Sequence, residues 1–470
     1  MVFGELSMKI YKVFFLAVFS YNSFAQAKLQ LPSFFSDGMV LQQNSIVKLW
    51  GSDNPNTHIS VDTSWGQVAQ TTSGSDGNWS LTMTTTSATT GQQLTISGSE
   101  KIIITNISLG EVWLCSGQSN MEMPVKGLKN QPIEGSLETI LNSTNSEINL
   151  FQVNRKASLT PLTDVTGSWR TAAPTSVGDF SATCYFFGKK LHSVIKVPIG
   201  LIATSWGNSN AEAWTPKASL QKLGYAPMPT KIPKKLLQRT ATILYNGMLH
   251  PLAGYKIKGF VWYQGEANRT RAEQYKTLFP SMIASWRDAW QDKSLPFYFT
   301  QIAPYIYGVQ NDIAFLRESQ LYTLANVKNT GMAVTLDVGD CARIHPKDKR
   351  EVGDRLAYWA LVKDYNIPGI SFSGPIYDSM KIKGNKVEIK FNQAELGLSS
   401  RYKYLSGFEI AGQDRIFHPA TSQVTRGPLQ VWSELVDKPV AVRYAFSDCP
   451  DASLFGVNGL PASPFRTDNW

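Results

Sequence analysis

Runs of basic residues are missing from this 470-residue chain, although 45 Lys and Arg against 36 Asp and Glu give it a formal charge of +9. The positive residues stand singly or in pairs, without the clusters of roughly five to eight that track a phosphate backbone, so a nucleic-acid partner is not expected. Cysteine is equally sparse. Four in the whole chain (Cys115, Cys184, Cys341, Cys449) are too few for a disulfide scaffold and leave all three full pairings open. Their spacings fit no zinc pattern, and no metal is expected. Charged residues make up only 17%, while 13 Trp, 18 Tyr and 23 Phe are abundant, which excludes a coiled coil and intrinsic disorder. There is no Gly-X-Y period. No apolar stretch reaches the roughly 20 residues that span a bilayer.

The short apolar run from Val13 to Phe19 follows Lys9 and Lys12 and precedes small residues at Ser23, Ala25 and Ala27. That arrangement predicts a secretory signal peptide over residues 1–27 and a protein that is secreted or periplasmic. From 28 to 104 polar and apolar residues alternate, as in Trp79-Ser80-Leu81-Thr82-Met83-Thr84, with Asp76-Gly77 as a turn signal. This predicts an N-terminal β domain. Between 105 and 365 short apolar runs alternate with helical stretches, among them Ser181 to Lys196, with Cys184, Phe187, Leu191 and Ile195 on one face, Thr270 to Trp290, and Phe315 to Val327. Such alternation is the pattern of α/β units around a parallel sheet. From 366 to 470 β patterning returns as a second β domain, with a hairpin turn at Lys383-Gly384-Asn385-Lys386.

Gly110 to Met121 reads as a strand that ends at Cys115 and a Gly-containing turn that presents Ser119. In open α/β sheets ligands bind beyond the carboxyl ends of the strands, where a serine is placed either to cap a helix or to act as a nucleophile. A serine nucleophile needs a base, and five histidines are available. His58 and His418 lie in the β regions and His192 on an amphipathic helix. His250 remains possible. His345 follows the strand Met332 to Leu336 and is the first choice. Donors for a developing oxyanion are offered by Ser205-Trp206-Gly207-Asn208-Ser209 and by Trp262-Tyr263-Gln264-Gly265-Glu266-Ala267-Asn268, both at strand ends.

At these residues the sequence resembles the sialate O-acetylesterase family of SGNH-type serine hydrolases. Gly117-Gln118-Ser119-Asn120-Met121 looks like the family's nucleophile block, and Ser205-Trp206-Gly207 with Ala213-Trp214 like its glycine block. Trp262-Tyr263-Gln264-Gly265-Glu266 resembles the amide block, and Ile344-His345-Pro346 with Val352-Gly353 and Arg355-Leu356-Ala357 the histidine block. The resemblance runs from Asp37-Gly38-Met39 to Phe465-Arg466-Thr467. It implies an SGNH-hydrolase-like (flavodoxin-like) core between the two β domains. It also implies Ser119 as nucleophile, His345 as general base, and an oxyanion hole of the Ser119 and Gly207 backbone N–H groups with the Gln264 side chain.

Two departures from the family pattern stand out. Asn208 occupies the place of a second glycine, and Ala342 and Arg343 stand where an Asp often precedes the histidine. The residue that orients His345 is therefore open among Asp340, ranked first, Asp337 and a backbone carbonyl.

The activity the resemblance implies is a serine carboxylic ester hydrolase without cofactor, removing acetyl groups from an acetylated sugar or glycan through an acyl-serine intermediate, with sialate O-acetylesterase as the first reading. Trp206, Trp214, Trp262 and Tyr263 are candidates to stack on a sugar ring, and Asn208 and Arg343 to bind substrate, the latter through an acidic sugar's carboxylate. An acetylxylan or other plant-polysaccharide acetyl esterase is the second reading, and an inactive carbohydrate-binding protein the third. Asn-x-Ser/Thr sequons lie at Asn78, Asn106, Asn142 and Asn268.

Overall fold

The computed structural model describes residues 1–2, 4, 28–308, 312–401, 404–425 and 427–470. The expected signal peptide lies almost wholly outside them. Among the described residues no helix is long and apolar enough to cross a membrane.

The centre is a sheet whose parallel strands are, in chain order, Lys101–Gly117, Asn145–Gln152, Ile199–Ser205, Gly259–Tyr263, Phe297–Thr300 and Thr330–Ala333. In space the order is sixth, fifth, fourth, first, third, second, and Trp169–Ala172 adds an antiparallel edge strand beside the second. Val112 to Cys115 and all of Ile199–Ser205 and Gly259–Tyr263 are buried, as expected for strands covered on both faces. Successive residues point to opposite faces. Trp113, Cys115, Val261 and Leu201 pack with helices Ala182–Ile195 and Lys349–Lys363. Leu114, Phe260, Trp262 and Ile202 belong to the core that includes Tyr275, Phe279 and Trp286 of helix Ala272–Ala289.

Lys101–Gly117 is one strand across residues 104 and 105. Its first part pairs antiparallel with Thr89–Ser97, and its second part pairs parallel with Ile199–Ser205 and Gly259–Tyr263. Exposed positions recur up to Asn106, and from Ile107 onward every residue of the strand is buried, so the change of pattern seen in the sequence is a change of surroundings along one strand.

The C-terminal region carries antiparallel sheets. Ile376–Lys383 and Lys386–Asn392 form the expected hairpin, with Lys383 opposite Lys386 and Gly384 at φ +62° supplying the left-handed turn position. This region is fastened to the core by the buried Arg317, which donates to the carbonyls of Ile302, Ser447 and Asp448. The cysteines pair Cys115–Cys184 and Cys341–Cys449. The first bond ties the central strand to helix Ala182–Ile195, and the second ties the chain just before His345 to the C-terminal region.

Candidate active site

The first parallel strand lies between the third and fourth, so the chain leaves it in opposite directions on its two sides. A crevice opens at such a switch point, beyond the carboxyl ends. Gly117 is level with Ser205 on one side and Tyr263 on the other, and the three segments that follow are Gln118-Ser119, Trp206-Gly207 and Gln264-Gly265-Glu266. The motifs read from the sequence thus converge on one end of the sheet.

Gly117 has φ +148°, and a Cβ there would lie 2.1 Å from the Tyr263 carbonyl oxygen, so only glycine lets the strands approach this closely. The chain then turns, with Gln118 N–H donating to Tyr263 O at 3.0 Å, into the short helix Ser119–Glu122. Ser119 is half-buried at its start. Gly207 packs directly on it, since a Cβ at Gly207 would stand 3.4 Å from Ser119 Cβ. Ser119 and Gly207 are therefore brought together as expected.

Two of the three expected oxyanion donors, Gly207 and Gln264, are otherwise engaged. Gly207 N–H donates to Glu122 Oε2 at 2.8 Å, and Glu122 Oε1 receives Arg155 Nε at 2.7 Å. Gln264 is fully buried, its Nε2 donating to Asn268 Oδ1 at 2.7 Å and Ser209 O at 3.2 Å while its Oε1 accepts from Tyr275 at 3.0 Å. The Gln264 amide binds the glycine loop to the amide loop in place of projecting toward Ser119. Asn268 is buried in the same network and also donates to Glu212, so its sequon has no room for a glycan. Asn208, at φ +62°, adopts the left-handed conformation open to a glycine and favoured by asparagine, and Arg239 holds both its carbonyl and its side chain.

His345 lies on the segment before helix Lys349–Lys363. Asn120 Nδ2 donates to the Ile344 carbonyl at 3.0 Å, which fastens this segment to the residue after Ser119. At its Nδ1 the imidazole meets the Gln131 side-chain oxygen. An acceptor there holds the proton on Nδ1 and leaves Nε2 unprotonated, as a general base requires. Nε2 is buried and has no hydrogen-bond partner among the described residues. Burial and the Lys349 ammonium lower the imidazole pKa to about 4.

Asp340 does not orient this histidine. Its carboxylate accepts from Ala342 N–H and faces Arg343 at 3.7 Å, closing a turn on itself. Asp337 is bound by both terminal nitrogens of Arg355. Arg343 is half-exposed on its pair with Asp340. His250 is used elsewhere, through Leu162 O at 3.0 Å, and His192 pairs with Glu147 at 2.8 Å in a structural role.

The aromatic candidates divide by burial. Trp262, Trp214 and Tyr263 are fully buried, Trp262 packing on Trp214, Phe279 and Trp286, so none offers a face to a sugar. Trp206 is half-buried beside Gly207, with the Arg155 guanidinium 5.4 Å from its ring centre. Glu122, Gln131 and Arg155 escape a reading of the sequence. Glu122 is signalled only by its place three residues after Ser119, and Gln131 and Arg155 by nothing local. Among the described residues no group of three or more His, Cys, Asp or Glu side chains is arranged to hold a metal.

The family model for carbohydrate esterases described as sialic acid-specific acetylesterases matches residues 109–361. The sialate O-acetylesterase of Homo sapiens is 29% identical over 392 residues, covering 75% of this chain and 74% of that one. That of Mus musculus is 27% identical over 510 aligned residues, covering 92% and 93%. A solved carbohydrate acetylesterase from Xanthomonas citri superposes with a TM-score of 0.87 at 36% identity, covering 94% of this chain and 100% of that one.

Proposed function

The chain belongs to the carbohydrate esterase family of sialic acid-specific acetylesterases, and we propose that it removes O-acetyl groups from sialic acids through an acyl-serine intermediate. Ser119 attacks the ester carbonyl while His345 Nε2 takes its proton. The tetrahedral oxyanion meets the Ser119 backbone N–H, with Gly207 alongside. The imidazolium then gives the proton to the departing sugar hydroxyl, and water, activated by the same nitrogen, releases acetate and restores Ser119. The observation that carries this reading is the unpartnered Nε2 of His345, with Nδ1 engaged by Gln131, on a segment bonded to the residue that follows Ser119.

The strand order, with the first strand at the switch point, supports an SGNH-hydrolase-like core. Gln131 takes the orienting role given to a carboxylate in the Ser-His-Asp arrangement. A neutral amide there has a parallel in Cys-His-Asn sites. For an acidic sugar the half-exposed cation beside the Ser119 loop is Arg155, which reaches Gly207 through Glu122 and covers the half-buried Trp206. The two disulfides and the signal peptide expected over residues 1–27 support export to an oxidising compartment.

Acetate release from O-acetylated sialic acid and from acetylated xylo-oligosaccharides, measured in parallel, tests the substrate. Faster release from the sialic acid is expected. Faster release from the xylan fragments supports the plant-polysaccharide reading in its place, and release from neither supports a carbohydrate-binding role.

A further inference from the structure

Asn120, directly after Ser119, is fully buried and its amide joins the Ser119 helix to the segments that carry Glu266 and His345. Its Nδ2 donates to Glu266 Oε1 at 2.5 Å, on the loop after the fourth parallel strand, and to the Ile344 carbonyl at 3.0 Å, next to His345. Its Oδ1 accepts from Lys349 Nζ. Lys349 is itself fully buried, with Nζ 5.1 Å from the Tyr263 ring centre.

A buried ammonium costs several kcal/mol of desolvation unless its surroundings return it, and burial lowers the Lys349 pKa to about 7, so the side chain is a full cation across the acid range. Here the surroundings are few: Glu266 as the facing carboxylate, the Asn120 oxygen and the Tyr263 ring, with His345 as the neighbouring titratable group. Glu266 in turn faces Lys349, Asn120 and the phenols of Tyr263 and Tyr307, and one of its oxygens has no partner among the described residues. His345 faces Lys349 and Gln131. An amide side chain fits a site in two orientations related by a flip, and a cation at one end permits only the one with oxygen toward it.

Resting on the reading of Ser119 and His345 as the reacting pair, we propose that Lys349 is a positioning residue. It locks Asn120 in the orientation whose Nδ2 clamps the His345 segment to the Ser119 helix. A displacement of the base by a fraction of an ångström lowers the rate without touching the sugar-binding surface, so the signature is in kcat. Without the neighbouring positive charge the imidazolium is less disfavoured, so the acid limb of the pH profile moves upward.

The test is the pH dependence of Ser119 labelling by a small fluorophosphonate, together with kcat and KM for acetate release, in the full chain and in Lys349→Met and Lys349→Arg. Lys349→Met is expected to label about tenfold more slowly at its optimum. Its acid midpoint should rise by up to about one pH unit, with KM nearly unchanged. Lys349→Arg should return the midpoint toward that of the parent protein. If Lys349→Met does not fold, Asn120→Ala, which removes the clamp and leaves the lysine, should show the same loss of kcat at unchanged KM. Labelling at the parent rate and midpoint in a folded Lys349→Met, or at the parent rate in Asn120→Ala, would overturn the proposal. A parent protein that does not label at Ser119 overturns the underlying reading, and the proposal with it.

Discussion

The Nδ1 of His345 is bonded to the side-chain oxygen of Gln131, a residue 214 positions earlier in the chain. The histidine is thus oriented by a neutral amide. An amide fixes the tautomer as a carboxylate does, but adds no negative charge to favour the imidazolium, and burial and Lys349 both oppose that charged form.

A pH dependence follows from this pair. A base whose pKa is depressed to about 4 stays unprotonated through the mildly acidic range, so kcat/KM is expected to hold well below the ordinary histidine range and fall only as pH approaches about 4. Gln131→Ala should lower kcat by roughly 10- to 100-fold through loss of orientation. Gln131→Asp places an anion at Nδ1 and should raise the acid limb by about one unit or more. Initial rates across the acid range check both variants, and an acid limb in Gln131→Asp that coincides with the parent's would separate Gln131 from the histidine.

Trp206 and Trp262 should respond differently to truncation. Trp206→Ala is expected to raise KM severalfold for a sugar ester while leaving the melting temperature almost unchanged. Trp262→Ala, in the packed core, should cost about 3–5 kcal/mol of stability, read as a fall in the denaturant midpoint.

Arg155 gives a test of substrate class. Arg155→Met removes the cation on the Trp206 side of the site, so KM for the O-acetylated sialic acid is expected to rise about tenfold. KM for a neutral acetylated xylo-oligosaccharide should stay near the parent value. Equal effects on the two esters would show that Arg155 maintains the loop and does not recognise a carboxylate.

The Cys341–Cys449 bond closes a long segment of chain and ends four residues before His345. Replacing both cysteines by serine should lower stability by about 2–4 kcal/mol. Thermal unfolding followed beside esterase activity is expected to show activity lost at a lower temperature than in the parent.

The fold and the outline of the site were legible where local chemistry dictates them. Ser119, Gly207 and Gln264 each follow a continuous apolar run, the mark of a strand buried on both faces, and a buried strand can deliver them only at its end. The hairpin at Gly384-Asn385 was legible because a two-residue turn between alternating strands needs left-handed backbone. What the side chains do once delivered was less legible. The Gln264 amide looks like a free donor until the fold brings Ser209, and the helical turn brings Asn268, within its reach. Trp262 and Tyr263 look like ring platforms, yet in a sheet covered on both faces alternate positions are equally buried. Gln131 and Arg155 sit in loops with no periodicity, and their partners become neighbours only through tertiary structure. Asp340 misleads for the converse reason, since a carboxylate two residues before a backbone N–H closes its own turn before it reaches a distant ring.

The most direct test of acyl transfer at Ser119 is rapid quenching of the protein during turnover of an O-acetylated sialic acid, followed by peptide mass spectrometry, with Ser119→Ala in parallel. The expected result is an acetyl group on the peptide containing Ser119 in the parent protein, and neither that adduct nor acetate release above background in the variant. Acetate release by Ser119→Ala at the parent rate would contradict it.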